Sequence, residues 1–330
     1  MRNVHLLLTL TAAAACTTSV EAISHEGEDE DHTGFEVVPG EGETVVPPED
    51  DGPSDAELGD GVEPRTDLVR VLAAGDIAAC DRDGDAKTAD LLDGEYGTVL
   101  ALGDNVYETG TRAEFEDCYG PSWGRHKART RPAVGNHEYK SAGAGPYFDY
   151  FGGAAGPRGK GWYSFRLGEW LIIALNSNCS VVGCGVGSEQ ERWLRQTLAA
   201  NPTQCALAFS HHARSSSGDH GNHDALIPLW QALYDHSVDV VLSGHDHDYE
   251  RFAMQDPWRN RDDERGIRQF VVGTGGKSLY SWGTVKRNSL VRSNDASGVL
   301  RLTLYPDRYS FKFMPVAGET FTDSGTRSCH

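Results

Sequence analysis

Short apolar segments that end in a polar residue recur along this chain, and this recurrence limits its fold more than any other feature. Short, largely apolar segments bounded by turn residues predict buried strands. The predicted strands cover residues 68–74, 98–102, 170–175, 205–209 and 238–242, and the predicted helices cover residues 86–92, 188–200 and 225–234. Strands that alternate with helices predict an α/β core, in which ligands bind at the carboxyl ends of the strands.

The last third of the chain has a different pattern. Predicted strands at residues 267–272, 298–305 and 309–314 follow one another without intervening helices. Consecutive strands of this kind pair antiparallel more readily than parallel. We therefore expect these strands to form a second, more antiparallel sheet.

Most of the negative charge lies near the amino terminus. Residues 21–67 hold 17 acidic side chains and one basic one, whereas residues 68–330 hold 32 acidic and 28 basic side chains. A segment so acidic and so poor in apolar residues cannot offset its chain entropy by burial. We expect a disordered acidic linker at 17–67 and a folded domain at 68–330; the acidity also argues against nucleic-acid binding. His25 and His32 could bind metal weakly, but a solvated linker is the preferred interpretation.

Residues 1–16 have the pattern of an export signal. A basic residue, Arg2, precedes an apolar stretch at 4–10 and then small residues, and the stretch is too short to span a membrane. Cys16 follows four alanines, as in a bacterial lipoprotein cleavage box, so we expect its lipidation; a plain secretory signal cut after Ala-x-Ala is the alternative. The chain is thus predicted to be exported, as an outer-membrane or cell-surface lipoprotein or otherwise as a periplasmic or secreted protein. Its one expected membrane contact is the lipid.

Six cysteines follow Cys16, and an even number in an exported chain favours disulfides. Cys179 and Cys184 are close enough in sequence to close a small loop. Cys80 and Cys118 each lie just beyond a polar motif and are a plausible second pair. Elimination then pairs Cys205 with Cys329. Six cysteines allow about fifteen pairings, so only the first pair has support of its own.

Five short motifs place polar residues at or near predicted strand ends. They are GDIA at 75–78, GDNVY at 103–107, GNHE at 135–138, SHH at 210–212 and GHDH at 244–247. Each motif alone is weak evidence, because a Gly-Asp after a strand is usually a turn and a lone His-x-His is more often a pair of surface or core histidines than a pair of metal ligands. Together they supply carboxylates, an amide and several imidazoles. Carboxylates can bridge two cations, and imidazole favours iron, zinc or manganese over magnesium, so the set predicts a metal site.

In this order, the five motifs resemble those of the calcineurin-like metallophosphoesterase superfamily, and specifically of its purple acid phosphatase branch. Most members have a metal-binding histidine two residues after the first aspartate, where this chain has Ala78. Purple acid phosphatases lack it and use a tyrosine three residues after the second aspartate, where this chain has Tyr107. The resemblance covers residues 68 to about 255. It implies a four-layer α/β/β/α sandwich of two mixed sheets, with a dinuclear metal site at the strand carboxyl ends.

The resemblance also implies the metal ligands. The first metal, typically Fe(III), would be held by Asp76, Asp104, Tyr107 and His247. The second, a divalent iron, zinc or manganese ion, would be held by Asp104 as a bridge, Asn136, His211 and His245. His212 is the alternative to His211. We favour His211 because it stands nine residues before His220-Gly221, as in the small tartrate-resistant acid phosphatases, although Ala213 replaces the usual proline.

An exported hydrolase of phosphoric esters is the function that the resemblance implies. It would be an acid phosphatase-like phosphomonoesterase, in which a metal-bound hydroxide attacks a phosphate ester. His137 and His220 would stabilise the phosphoryl oxygens and donate a proton to the leaving group. A surface loop is the alternative interpretation for His220 and the preferred one for His223.

Two other functions remain open. One is a phosphodiesterase or nucleotide hydrolase on the same site, and the other is a surface binding protein that has lost turnover. The presence of all seven proposed ligands argues against the second. Asp246 is expected to orient its neighbours, while Asp248, Glu250 and Arg251 could support the site or form a solvated strand end. The glycine-rich turn at 273–276 is more readily a tight connection than a phosphate cradle, because no P-loop lysine follows it.

Overall fold

The structure, a computed structural model, describes residues 69–330, so the predictions for residues 1–67 lie outside the described part. The strands are β1 Val69–Ala74, β2 Ala78–Ala79, β3 Thr98–Leu102, β4 Val106–Tyr107, β5 Thr130–Ala133, β6 Tyr163–Leu167, β7 Trp170–Ala174, β8 Ala206–Phe209, β9 Val240–Ser243, β10 Tyr249–Phe252, β11 Arg268–Val272, β12 Ser289–Ser293, β13 Gly298–Leu304, β14 Arg308–Pro315 and β15 Ser324–Ser328. The α-helices are α1 Gly84–Asp93, α2 Arg112–Glu114, α3 Gly145–Phe151, α4 Cys179–Val182, α5 Glu189–Ala200 and α6 Ile227–Asp235.

Single turns of other helix types complete the connections. A π-helical turn lies at Phe115–Tyr119, and 3₁₀ turns lie at Trp123–Arg129, Glu138–Lys140, Ala142–Ala144, Gly152–Ala155 and Asp224–Leu226. Every strand and helix named in the sequence analysis is present, with bounds that shift by at most two residues. No helix of the described residues is long and apolar enough to cross a bilayer.

Two mixed sheets form the centre of the domain. The six-stranded sheet has the order β15-β14-β13-β1-β3-β5, and the seven-stranded sheet has the order β12-β10-β11-β9-β8-β7-β6. β1, β3 and β5 are parallel in the first sheet, and β7, β8, β9 and β11 are parallel in the second. The predicted pair of mixed sheets in an α/β fold is therefore confirmed.

The two sheets pack face to face, and the alternation of side chains along each strand shows this. In β7, Ile172 and Ala174 join the core between the sheets, whereas Leu171 and Ile173 join a second core with α5 and α6. In β8, Leu207 and Phe209 face inward in the same way. Because successive side chains of a strand point to opposite faces, each strand contributes to both cores.

The expectation of a separate antiparallel sheet for the last third was wrong. β13 pairs antiparallel with β1 and, with β14 and β15, extends the first sheet. β11 instead pairs parallel with β9 in the second sheet. The strands are largely antiparallel, as expected, but they add to the existing sheets because both of these had open edges that buried apolar strands could cover.

Three disulfides are present, and all three predicted pairings are confirmed. They join Cys80 to Cys118, Cys179 to Cys184 and Cys205 to Cys329. The last of these ties the carboxyl terminus to the beginning of β8. Disulfides of this number are typical of proteins that fold in an oxidising compartment.

Candidate metal centre

The five motifs meet at one edge of the two sheets. Asp76, Asp104 and Asn136 follow the parallel strands β1, β3 and β5 of the first sheet. His211 follows β8 of the second sheet, and His245 and His247 follow β9. Because parallel strands end at the same edge, the carboxyl ends of both sheets converge here.

One group of side chains surrounds the hydroxyl of Tyr107. This hydroxyl lies 2.7 Å from Oδ1 of Asp76 and 3.1 Å from Nε2 of His247. Nε2 of His247 is also 3.4 Å from Oδ1 of Asp76. All three side chains are buried, so a phenol, a carboxylate and an imidazole share one point inside the protein.

A second group surrounds Nε2 of His211. This nitrogen lies 2.9 Å from Oδ1 of Asn136, 3.1 Å from Nδ1 of His245 and 3.3 Å from Oδ2 of Asp104. Asp104 connects the two groups, because one ligand atom each from Asp76, Asp104 and His211 lie within 4.8 Å of one another. The structure therefore brings together all seven side chains predicted as ligands.

Backbone hydrogen bonds orient each carboxylate so that one oxygen stays available. Oδ2 of Asp76 accepts from the N–H of His245, and Oδ1 of Asp104 accepts from the N–H of His137, each at 2.8 Å. The opposite oxygens, Oδ1 of Asp76 and Oδ2 of Asp104, are the ones that face the two groups. Both carboxylates are thus fixed by the main chain of a different motif.

Carbonyl groups fix the histidine rings in the same way. Nδ1 of His211 donates to the carbonyl of Leu102 at 3.0 Å, and Nδ1 of His247 donates to the carbonyl of Ser278 at 2.7 Å. A histidine that donates from one nitrogen presents a lone pair on the other, as metal-binding histidines do. In both rings that nitrogen is Nε2, which faces the site.

Three of the seven residues have a left-handed backbone. The φ angles are 61° at Asp76, 44° at Asp104 and 76° at His245. This conformation costs a residue other than glycine roughly 1–2 kcal/mol. Such strain collects at functional sites, where the surrounding structure holds it in place.

Gly135 allows its loop to approach Asp104 closely. A Cβ at this position would lie 2.1 Å from both the backbone N and Oδ1 of Asp104. No real Cβ atom tolerates such a distance, so either the loop or Asp104 would have to move. The glycine of the GNHE motif is therefore required by the position of a proposed ligand in another motif.

Replacing Gly135 with alanine is expected to lower the free energy of unfolding by about 3 kcal/mol and to reduce metal content. The added methyl would push Asp104 out of its place. Chemical denaturation and elemental analysis would measure the two effects. The matched control is Gly145→Ala at the start of α3, where an added Cβ meets nothing within 4 Å. Wild-type stability and metal content in Gly135→Ala would show that the contact is not tight.

The buried carboxylates of the site favour positive charge on the groups beside them. Burial opposes ionisation of Asp104, but the imidazoles of His211 and His137 and the N–H of His137 outweigh it and hold the pKa of this carboxyl far below its usual range. Burial alone would lower the pKa of His211, but the carboxylates of Asp104 and Asp76 raise it to about 9. The carboxylates therefore favour a second proton on His211, at Nε2, and a bound cation would take the place of that proton and use the lone pair.

The seven side chains fit a pair of cations. Burial, together with the charges of Asp104 and Asp76, raises the pKa of Tyr107 well above its ordinary value, so a phenolate would require a compensating cation. Burial and the neighbouring imidazoles lower the pKa of His245 far below its usual range, which leaves a lone pair beside Nε2 of His211. Two carboxylates, a phenol, an amide oxygen and three imidazoles are ligand types for iron, zinc and manganese.

The two predicted substrate-facing histidines lie beside different proposed ligands of this centre. Nδ1 of His137 donates to the carbonyl of Glu108 at 2.7 Å, and its Nε2 lies 3.9 Å from Oδ2 of Asp104. The ring of His220 is exposed and stacks on the ring of His245, with 4.2 Å between centroids. Its backbone N–H donates to Asp246. Asp246 thus orients His220, as expected.

His212, the alternative to His211, points to a different partner. Its Nδ1 lies 2.9 Å from Oγ of Ser177, and its ring stacks on the ring of His223. It still contacts the centre, because one of its nitrogens lies within 4.8 Å of nitrogens of His211 and His245. Of the two neighbours, His211 is the one in hydrogen-bond distance of Asn136.

Several supporting residues were not identified from the sequence. Both oxygens of Glu138 are buried and accept from backbone N–H groups of Asn105, Val106 and Gly135. This carboxylate therefore ties the loop after β3 to the loop after β5. The GNHE motif contains Glu138, but no local pattern reveals which backbone groups it would bind.

A segment after β11, residues 277–280, contacts the Tyr107 group and was also missed. The N–H of Lys277 donates to the carbonyl of Asp76 at 2.9 Å, and its Nζ lies 4.5 Å from the centre of the Tyr107 ring. The preceding glycines form a tight connection, with the N–H of Gly275 bonded to the carbonyl of Gly75. The glycine-rich turn at 273–276 is thus a tight connection, as preferred from the sequence.

The acidic residues after His247 are buried rather than solvated. Glu250 accepts from the N–H and Oγ of Ser217, and Arg251 pairs with Asp323 at 2.7 Å. Asp248 is buried as well, and burial followed by the charges of Asp246 and Glu250 raises its pKa well above the usual value. The interpretation as a solvated strand end was wrong.

Comparisons with known proteins show which proteins this chain is similar to. A family model described as calcineurin-like phosphoesterase matches residues 69–249. An uncharacterised protein of Mycobacterium tuberculosis is 32% identical over 186 residues, which cover 44% of this chain and 35% of that protein. The nucleotide pyrophosphatase/phosphodiesterase of Hordeum vulgare is 25% identical over 294 residues, which cover 72% of this chain and 77% of that protein.

A solved structure has a similar fold. Purple acid phosphatase from yellow lupin seeds superposes with a TM-score of 0.62 at 19% identity, over 79% of this chain and 54% of that chain. The present chain thus spans 35% of the mycobacterial relative and 54% of the lupin enzyme. At this identity the lupin structure supports the fold, and the activity has to be argued from the site.

Proposed function

The chain belongs to the calcineurin-like phosphoesterase family, as its motifs predict, and we propose that it is a dinuclear metal-dependent hydrolase of phosphate esters of the acid phosphatase type. The observation that carries this proposal is the hydroxyl of Tyr107, which lies 2.7 Å from Asp76 and 3.1 Å from His247. A tyrosine in this place compensates for Ala78, where most of the superfamily has a histidine ligand.

Two cations would bind to the two groups of side chains. Asp76, Tyr107, His247 and Asp104 would hold Fe(III), and Asn136, His211, His245 and Asp104 would hold a divalent iron, zinc or manganese ion. When bound, such a pair lowers the pKa of water and stabilises the charge of the phosphoryl group in the transition state. Asp104 is the proposed bridge because its Oδ2 lies 3.3 Å from Nε2 of His211 while one of its carboxylate oxygens lies within 4.8 Å of one of Asp76.

His137 and His220 would act on the substrate itself. His137 lies beside Tyr107 and His220 lies beside His245, and each is held by a hydrogen bond, His137 to the carbonyl of Glu108 and the N–H of His220 to Asp246. Burial lowers the pKa of His137, and its Nδ1 already donates to the carbonyl of Glu108, so only the doubly protonated ring could also donate from Nε2; His137 would therefore bind phosphoryl oxygen as an imidazolium stabilised by the charge of the substrate. His220 is the more exposed of the two and would donate the proton to the leaving alkoxide.

A phosphodiesterase or nucleotide hydrolase is the second candidate. The barley relative, whose name states nucleotide pyrophosphatase/phosphodiesterase activity, matches 72% of this chain. The two candidates differ in the rates that they predict for an aryl monophosphate, a bis-aryl phosphodiester and a nucleotide. A higher kcat/KM for the diester or nucleotide than for the monoester would replace the first proposal by the second.

The third possibility is a surface binding protein that has lost turnover, and metal analysis tests it. The phosphatase proposal requires two metals per chain after reconstitution, with hydrolysis of at least one of the three substrates. Fewer than one metal per chain and no hydrolysis would favour the binding role.

We further propose that the protein is exported, since its three disulfides require an oxidising compartment.

Replacing His220 with alanine is expected to leave both metals bound and to lower kcat by about 10²–10⁴-fold. The ring stacks on a proposed ligand but lies outside the two ligand groups. Elemental analysis and steady-state kinetics on the preferred substrate would test this. His236→Ala, an exposed residue after α6, is the control and should match the wild type. Loss of metal in His220→Ala would mean that His220 is a ligand.

A further inference from the structure

Each histidine of the GHDH motif has a second ring stacked on it. His220 stacks on His245 with 4.2 Å between centroids and 25° between planes. Tyr280 stacks on His247 in the same manner, with 3.9 Å and 12°. The two outer rings meet edge to face at 5.5 Å. His220 and Tyr280 therefore form one wall of the site, each above a different group of proposed ligands.

The main chain holds Tyr280 in this position. Its N–H donates to the carbonyl of His247 at 3.0 Å, and its carbonyl accepts from Nδ2 of Asn294 at 2.8 Å. Two residues earlier, the carbonyl of Ser278 accepts from Nδ1 of His247. One hydrogen bond and the ring contact thus join Tyr280 to His247, and a second hydrogen bond ties the same segment to His247 through Ser278, which fixes where the phenol can lie.

The hydroxyl of Tyr280 differs from that of Tyr107. Tyr280 is half-buried, and within residues 69–330 its hydroxyl makes no hydrogen bond. By contrast, Tyr107 and Tyr249 donate to the carboxylates of Asp76 and Asp323, each at 2.7 Å. A tyrosine hydroxyl on the wall of a site, with its ring held in place and no protein partner, is available to a ligand. Beside a phosphoesterase site, the natural partner for a neutral donor is an anionic oxygen of the substrate.

We propose that Tyr280 is a substrate-binding residue whose O–H donates to a phosphoryl oxygen of the ester beside the Tyr107 group, next to His220 as the proposed proton donor to the leaving group. The proposal rests on the proposed function and deepens it. A hydrogen bond from a neutral donor to a charged oxygen is shorter and stronger than one between neutral groups. The residue would therefore contribute to binding of any phosphate ester, and also to binding of inorganic phosphate.

Tyr280→Phe tests the hydroxyl alone, because the ring and its stacking on His247 remain. Titration calorimetry of the metal-loaded protein with inorganic phosphate should show a dissociation constant that rises about tenfold. The KM for an aryl monophosphate should rise similarly, while kcat changes less. Metal content and visible spectrum should stay at wild-type values. Tyr96→Phe, an exposed tyrosine before β3, is the control and should bind phosphate as the wild type does.

Tyr280→Ala separates substrate binding from a merely structural role. If the ring only supports His247, the alanine variant changes the metal content or spectrum while the phenylalanine variant binds phosphate as the wild type does, and the proposal is overturned. If the hydroxyl binds substrate, both variants lose phosphate affinity. A wild-type protein without bound metals or ester hydrolysis would instead refute the proposed function, so the two failures are distinguishable.

Discussion

Asp104→Ala is expected to lose both cations and to lower kcat/KM by about 10⁴-fold or more, because the cation pair supplies the nucleophile and several kcal/mol of charge stabilisation. Asp104 lies close to both groups: its Oδ2 lies 3.3 Å from Nε2 of His211, and one of its carboxylate oxygens lies within 4.8 Å of one of Asp76. Without this carboxylate, two cations held close together would repel each other with little screening. Elemental analysis and kinetics on the same preparation would measure both losses.

Alanine at position 104 also carries a backbone cost, which a second variant avoids. The φ angle of 44° lies in the left-handed region, which asparagine tolerates better than alanine does. Asp104→Asn keeps the size of the side chain and an oxygen that can accept from the N–H of His137, and removes only the charge. It should lose the metals to a similar extent.

The outcome for the asparagine variant decides the role of Asp104. Asp90→Asn, an exposed aspartate on α1, is the control and should retain wild-type metal content and activity. Two metals per chain in Asp104→Asn would exclude a bridging role. One metal per chain would make Asp104 a ligand of a single cation, and the site would then need a different bridge.

The position of the site could be predicted from the sequence because its information is local. Most of the proposed ligands stand within a few residues of a strand end, and the sequence of a strand end reveals both the apolar segment and the polar residues after it. Asp76 and Asp104 are close because β1 and β3 are parallel neighbours, which alternation with helices predicts; Asn136 joins them because β5, a strand that was not predicted, pairs parallel with β3. The same reasoning brought His211 and His245 to this edge, since β8 and β9 are also parallel.

The supporting residues could not be predicted, because their contacts depend on segments distant in the chain. Lys277 and Tyr280 lie in a segment without strand or helix periodicity, and they touch Tyr107 and His247 because the connection after β11 crosses the site. The pairing of β13 with β1 was missed for a related reason. Local patterns predict a strand, but they do not state which open edge it will cover.

Backbone conformation is the third feature beyond the reach of the sequence pattern. Gly135 is a glycine because of Asp104, a residue of another motif, and not because its own turn needs a positive φ. The left-handed φ angles of Asp76 and His245 likewise belong to residues whose types do not demand them. Strain of this kind follows from the convergence of loops, so it becomes visible only when the loops are placed together.

Tyr107→Phe is expected to abolish any visible absorption band of the iron-loaded protein and to lower the affinity for the first cation by about 100-fold or more. Loss of a supporting residue lowers metal affinity by about 10–100-fold, and loss of a ligand should cost more. Tyr107 is buried, and burial and the charges of Asp104 and Asp76 raise its pKa well above the ordinary value. A phenolate here therefore exists only opposite a cation. Phenolate bound to ferric iron is the expected source of a charge-transfer band.

The phenylalanine variant isolates the oxygen, because the contacts of the ring remain. The Tyr107 ring lies 4.4 Å from the ring of His137 and 4.5 Å from Nζ of Lys277, and phenylalanine can keep both contacts. Tyr139→Phe is the control: its hydroxyl accepts from Nδ2 of Asn176 and does not contact the seven proposed ligands. Spectra and iron affinity would be compared among the three proteins.

The spectra separate three possibilities. A band that disappears in Tyr107→Phe but persists in Tyr139→Phe assigns it to an iron–Tyr107 bond. A band that persists in both variants contradicts that assignment and with it the comparison to purple acid phosphatases. A wild-type protein that hydrolyses esters without any band would show that the Tyr107 side holds a cation other than Fe(III). In that case Tyr107 would bind as a neutral phenol or not at all, and Asp76 and His247 would have to hold the cation with Asp104.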